Sequence, residues 1–183
     1  MPILGILASS VPVAAGDYES IATVTVGSGG SSSITFSSIP STYAHLQLRV
    51  ITQVSTTARF GTSFNSDTTL SNYRTHYLYG TGSAAGAGTG ASSWGIGAAE
   101  VSSSSFGAAV IDILDYKDTN KYKTIRSLSG YDTNGGGLMV LYSGLWMSTS
   151  AISSMTIYPA ENSTSGGTFS QYSHFALYGI KSA

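Results

Sequence analysis

Three histidines, His45, His76 and His174, are the imidazoles on which a metal site or a catalytic triad would have to draw. Each stands alone among strand-like residues. No HxH pair, HExxH motif or carboxylate-rich calcium loop accompanies them, so they read as exposed or hydrogen-bonded strand histidines. Asp112, Asp115 and Asp118 recur every three residues, a spacing that on a helix would gather three carboxylates on one face for metal or acid–base work. The residues just before them, Ala108-Ala-Val-Ile-Asp-Ile-Leu114, have strand character instead. The expectation is therefore turn capping, or pairing with Lys117 and Lys121. Serine is abundant, yet no Gly-x-Ser-x-Gly elbow sits between a strand and a helix. Gly135-Gly-Gly137 lacks the lysine and the strand-to-helix context of a phosphate loop. Asn162-Ser-Thr164 matches a glycosylation sequon by composition alone. These absences lead to no catalytic residue, no metal and no cofactor.

Aromatic side chains are the remaining candidates, because their faces bind sugars and anchor protein interfaces. Trp146 lies in the apolar run Leu138-Met-Val-Leu-Tyr-Ser-Gly-Leu-Trp-Met147 and reads as core. Trp94, flanked by serine and glycine, reads as an exposed contact, with Tyr77 and Tyr79 nearby.

The elements that must position these residues are strands. In Ala44–Val54, Leu46, Leu48, Val50 and Val54 alternate with His45, Gln47, Arg49 and Gln53, the period of a strand with one buried face. Tyr18–Val26 and Ser33–Phe36 read as two strands joined by the turn Gly27-Ser-Gly-Gly30. Further strands are predicted over 58–64, 73–79, 93–98, 105–115, 121–131, 138–147, 153–158 and 172–180, a number and spacing that suit a sandwich or jelly roll. Helix is scarce, and the best place for a helical turn is 115–120. Residues 80–93 carry almost no side chain to pack and read as a long loop, flexible unless something holds it; 161–167 is a shorter version. One β-sandwich domain over 17–183, preceded by an N-terminal arm over 1–16, accounts for the pattern.

Two segments look too apolar for a lone sandwich. Ser105–Leu114 carries Phe106, Ala108, Val110 and Leu114 on one alternating face and Ala109, Ile111 and Ile113 on the other. A sandwich strand should have one wet face, so a loop or another subunit is expected to cover the second. Phe106, Ile111 and Ile113 are the candidate oligomer contacts. Ile3, Leu4, Ile6 and Leu7 cluster in a terminus without charge and form a candidate docking segment.

Composition narrows the partners. Charged residues make up 9% of the 183-residue chain, against about 25% in an ordinary globular domain. Eight Lys plus Arg against nine Asp plus Glu give a net charge of -1, which supplies no electrostatic footprint for nucleic acid or an anionic membrane. The chain contains no cysteine, excluding disulfides, thiolate metal sites and a cysteine nucleophile. The apolar opening residues lack the positive region of a signal peptide, since the first basic residue is Arg49. No apolar run approaches the roughly 20 residues of a membrane helix.

Blocks spread along the chain carry a likeness. They include Met1-Pro-Ile-Leu-Gly-Ile-Leu-Ala-Ser-Ser10, Tyr18-Glu-Ser-Ile-Ala-Thr-Val-Thr-Val-Gly-Ser-Gly-Gly30, Phe36-Ser-Ser-Ile-Pro-Ser-Thr-Tyr43, His76-Tyr-Leu-Tyr-Gly80, Ser143-Gly-Leu-Trp146 and Phe169-Ser-Gln-Tyr-Ser-His-Phe-Ala-Leu-Tyr-Gly-Ile-Lys181. Together they resemble a family of small virion structural proteins of tailed bacteriophages. The resemblance implies a non-enzymatic, jelly-roll-like β-sandwich on the outer surface of a particle assembled in the host cytoplasm. The role expected first is head decoration (cement): a homotrimer bound to the major capsid protein or other virion proteins, with Ile3, Leu4, Ile6 and Leu7 docking. The alternative is a tail-fibre or spike module binding a host receptor or glycan through Trp94, Tyr77 and Tyr79.

Overall fold

A computed structural model describes residues 17–56, 58–91, 100–160 and 167–181. Thirteen strands run in chain order: β1 (Tyr18–Thr25), β2 (Ile34–Phe36), β3 (His45–Thr52), β4 (Ala58–Arg59), β5 (Gly61–Phe64), β6 (Tyr73–Gly80), β7 (Ala85–Ala91), β8 (Glu100–Val101), β9 (Gly107–Leu114), β10 (Lys123–Asp132), β11 (Gly137–Trp146), β12 (Met155–Tyr158) and β13 (His174–Ile180). Eight of them form one sheet in the order β1-β13-β3-β9-β10-β11-β6-β7; β2-β12-β5 form a second sheet and β4-β8 a third. Every named pair is antiparallel. The chain is thus an all-β, antiparallel sandwich, its layers divided eight strands to three.

Alternation explains the core. Leu46, Leu48 and Val50 of β3, Ile111 and Ile113 of β9, Ile125 of β10, and Phe175 and Leu177 of β13 turn to the same face of the large sheet. There they meet Ile34, Phe36, Phe64, Met155 and Ile157 of the second sheet in one buried cluster. Each such side chain contributes roughly 1.5–3 kcal/mol on leaving water. Trp146 belongs to this core: its ring stacks on Tyr73 at 6.5 Å and its Nε1 donates to Asp67 Oδ2 at 2.8 Å. Lys123 is fully buried and its ammonium donates to the carbonyls of Asp118, Lys121 (3.0 Å) and Thr149 (3.2 Å), tying the 118–121 turn to the segment after β11.

The strand readings at 18–26, 44–54, 73–79, 105–115, 121–131, 138–147, 153–158 and 172–180 all correspond to strands, with ends trimmed, shifted or, for β6, extended by a residue or two. The 58–64 reading splits into β4 and β5 around the fully buried Phe60. The glycine turn after β1 carries the chain from the large sheet to the second sheet, so β1 and β2 do not pair. Residues 115–120 form a turn, closed by the Asp118 amide donating to the Asp115 carbonyl at 3.0 Å; the single described helical turn is the 3-10 turn Leu70–Asn72.

Residues 85–91, expected inside a loop, are the edge strand β7. What holds them is aromatic. A Cβ on Gly86 would sit 2.6 Å from the Tyr79 ring, and one on Gly88 would sit 2.4 Å from the Tyr77 ring. Two tyrosine rings of β6 therefore lie across the neighbouring strand where only glycine leaves room, packing a segment that has almost no side chains of its own. The expected strand at 93–98 and most of the 161–167 loop lie outside the described residues, as do the arm 1–16 and Trp94.

Candidate interaction surface

The face of the large sheet turned away from the core is built by the other half of each strand's alternation. Register places its side chains in rows across the strands. One row runs from Arg49 through Val110, Leu128, Leu141 and Leu78 to Ala87. After its arginine it is wholly apolar, and its large members are exposed: Val110 at 42%, Leu128 at 53%, Leu141 at 45% and Leu78 at 59%. The next row joins Ile51, Ala108, Gly130, Met139 and Gly80, with Ile51 and Met139 again exposed. Phe106, 42% exposed, stands at the lip beside β9. Lone exposed apolar residues are ordinary, but a contiguous band across five strands is a candidate interaction surface.

A polar row borders the band on its other side: Gln47, Asp112, Arg126, Ser143, His76 and Thr89. Its left part is tied together. Arg49 Nε donates to Gln47 Oε1 at 2.8 Å, Gln47 Nε2 donates to Asp112 Oδ1 at 2.8 Å, and Arg126 donates to Asp112 Oδ2 at 3.1 Å. The Arg49 guanidinium also lies over the rings of Tyr178 and Tyr18, at 4.9 and 5.5 Å. These contacts join Arg49, Gln47, Asp112 and Arg126 in one network, in which the Arg126 side chain stays 63% exposed. Two open grooves follow the band. One of about 910 Å³ lies between Ile51, Phe106, Leu128 and Met139; another of about 650 Å³ lies over His76, Leu78, Arg126, Leu141 and Ser143.

Of the residues weighed for chemistry, His45 and Asp115 come together, with His45 Nδ1 3.3 Å from Asp115 Oδ1, and Asp115 and Asp118 share Lys121. His45, His76 and His174 sit on β3, β6 and β13, and among the described residues no group of three or more His, Cys, Asp and Glu could hold a metal ion. Asp112 belongs to the polar row. Asp115 pairs with Lys121, and its backbone amide donates to His45 Nδ1 at 2.9 Å. Asp118 accepts the Asn120 amide at 2.8 Å, which leads in holding its carboxyl below the ordinary value. Capping and pairing with Lys121 is thus what Asp115 and Asp118 do, whereas Asp112 pairs with Arg126 across the sheet. Burial pushes the Lys123 ammonium down and the Tyr73 phenol up; both are packed as structural groups. At Asp67 burial raises the carboxyl's pKa, and hydrogen bonds from Trp146, Asn72 and Thr69 outweigh it to leave a net lowering.

Of the expected oligomer contacts, only Phe106 points outward. Ile111 and Ile113, 1% and 0% exposed, are core residues of their own domain, because odd positions of β9 face the second sheet. The outward set is Val110 with Leu128, Leu141, Leu78 and Met139. Reading apolar residues as interior hid these four, though Leu128 sits between Ser127 and Ser129, a pattern that already opposes it to its neighbours. Tyr77 and Tyr79, the expected ligand contacts, lie over Gly88 and Gly86; Tyr77 also packs on Tyr142 at 5.3 Å and beneath the Arg59 guanidinium at 5.1 Å. Trp94 and Ile3, Leu4, Ile6 and Leu7 lie outside the described residues. Compared with family models, curated proteins and solved structures, the chain matches none of them.

Proposed function

We propose that the protein is a non-enzymatic structural component of a bacteriophage particle, a head decoration (cement) protein that stabilises the capsid by binding the major capsid protein. The observation that carries this reading is the exposed apolar band across five strands of a charge-poor sandwich, a face for contact between copies of a coat-building protein, with Ile3, Leu4, Ile6 and Leu7 left as the segment that would dock on the shell. Such a face gains on leaving water, and a domain with 9% charged residues lets copies and neighbours approach without strong repulsion. The chain's resemblance to phage virion proteins supplies the context. A tail-fibre or spike module would need an exposed aromatic shelf; of the three aromatics considered for it, Tyr77 and Tyr79 each lay one side of the ring on a glycine of β7, Tyr79 keeping 36% of its surface exposed.

The test is copy number per particle, by quantitative mass spectrometry of purified virions against the shell subunit. A number comparable with the shell subunit supports decoration. Absence from particles overturns the virion reading, and a few to a few dozen copies transfer it to the tail and to host recognition. Within the decoration reading, Leu4→Ser with Leu7→Ser is expected to strip the protein from particles while leaving its melting unchanged.

A further inference from the structure

We propose that the outer face of the eight-stranded sheet is the seat of a second copy of this chain, packed sheet on sheet about a two-fold axis that runs along the strands between β10 and β11. The inference does not depend on the virion reading; it follows from how the face maps onto itself. An axis in that position keeps each cross-strand row on its own counterpart and exchanges strands: β9 meets β6, β10 meets β11 and β3 meets β7 of the second copy.

The consequences are specific. In the apolar row, Leu128 meets Leu141 and Val110 meets Leu78, so leucine and valine cover one another. In the polar row Asp112 meets His76, and Arg126 meets Ser143. Arg49 falls opposite Ala87. No like charges are brought face to face, and the half-buried Asp112 carboxylate, already bound by Gln47 and Arg126, gains an imidazole opposite it. In the third row Met139, 63% exposed, meets Gly130, the largest side chain over the smallest residue. A two-fold axis across the strands would instead lay Asp112 and Arg126 on the Ile51–Met139 row, desolvating charges against hydrocarbon. A three-fold axis does not return the face to itself at all.

Size agrees. Six strands from β3 to β7 at about 4.8 Å and eight residues at about 3.3 Å give a face of about 29 by 26 Å. That is on the order of 750 Å², close to the roughly 800 Å² per partner of a standard stable interface. Aligned packing of two twisted sheets within about 30° keeps the central pairs in contact.

The experiment is sedimentation velocity on the full chain over a concentration series, with melting followed for each variant. A dimer is expected. Leu128→Arg, placed opposite Leu141, should weaken it by about a hundredfold or more with melting of the monomer unchanged, and Leu128→Ser gives a milder version should the arginine chain fold poorly. His76→Asp, facing Asp112, should weaken it about tenfold, and His76→Arg should tighten it. A dimer indifferent to both His76 changes, a trimer, or a monomer at about 100 μM overturns the proposal. A monomer that dimerises only when Leu4 and Leu7 are both changed to serine overturns it too, and gives the face to the chain's own N-terminal segment.

Discussion

The two faces of β10 show how little side-chain character alone decides burial. Toward the core the strand presents Lys123, Ile125, Ser127 and Ser129, all buried; toward solvent it presents Thr124, Arg126, Leu128 and Gly130, none of them buried. Two serines are inside and a leucine outside on one strand. The inner face is covered by other elements of the chain, including β8, which lies against β9, β10 and β11, while nothing described covers the outer one. Burial follows the covering layer, and a hydrophobic side chain without one stays exposed. The same contrast separates Ile111 from Val110 on β9: neighbours in sequence, 1% and 42% exposed.

Mutations on the two faces should therefore diverge. Ile111→Ala leaves a cavity between the sheets and should cost about 2–5 kcal/mol in denaturant unfolding; a loss below about 1 kcal/mol would mean the sheets do not pack as tightly as described. Gly88→Ala drives a methyl into the Tyr77 ring and should cost about 1–3 kcal/mol, with faster hydrogen exchange across β6 and β7. A neutral result would show that the rings are free to lift from the edge strand. Asp67→Ala orphans the Trp146 indole N–H and should cost about 1–3 kcal/mol. Because the folded-state carboxyl of Asp67 is held below its ordinary value, its contribution is full above the unfolded-state value and fades as pH falls through the folded-state one. Acid unfolding of the alanine variant should accordingly be less steep than that of the parent chain. Leu128→Ala, on the outer face, should change the stability of the monomer by no more than about 0.5 kcal/mol. If it costs as much as Ile111→Ala, the outer face is covered within the chain and the contrast between the faces is lost.

Much of the fold was legible from alternation. The run Leu46, Leu48, Val50 announces both a strand and its buried face, and the spacing of β-rich runs between turn residues located β6 and β9 to β13. The exclusion of thiolate chemistry and the absence of a nucleic-acid footprint follow from composition. β7 was not legible, because Ala85–Ala91 has no alternation of hydrophobicity to read: its partner Tyr77 and Tyr79 rings supply the packing that its own glycines lack. The interaction surface was half legible. Strand 105–114 shows two apolar faces, which says that something must cover the second, yet nothing local says which face is turned inward.

What the amino-acid order determined by itself is the period of two, the turns rich in glycine and the scarcity of charge, since each depends on the residue and its near neighbours. Only the tertiary structure decided which face of each strand met the second sheet. It also decided that Val110, Leu128, Leu141 and Leu78, drawn from four strands, align in one row. Register between distant strands is set by the whole sheet at once, because a slip of one residue would turn every buried side chain of that strand to water.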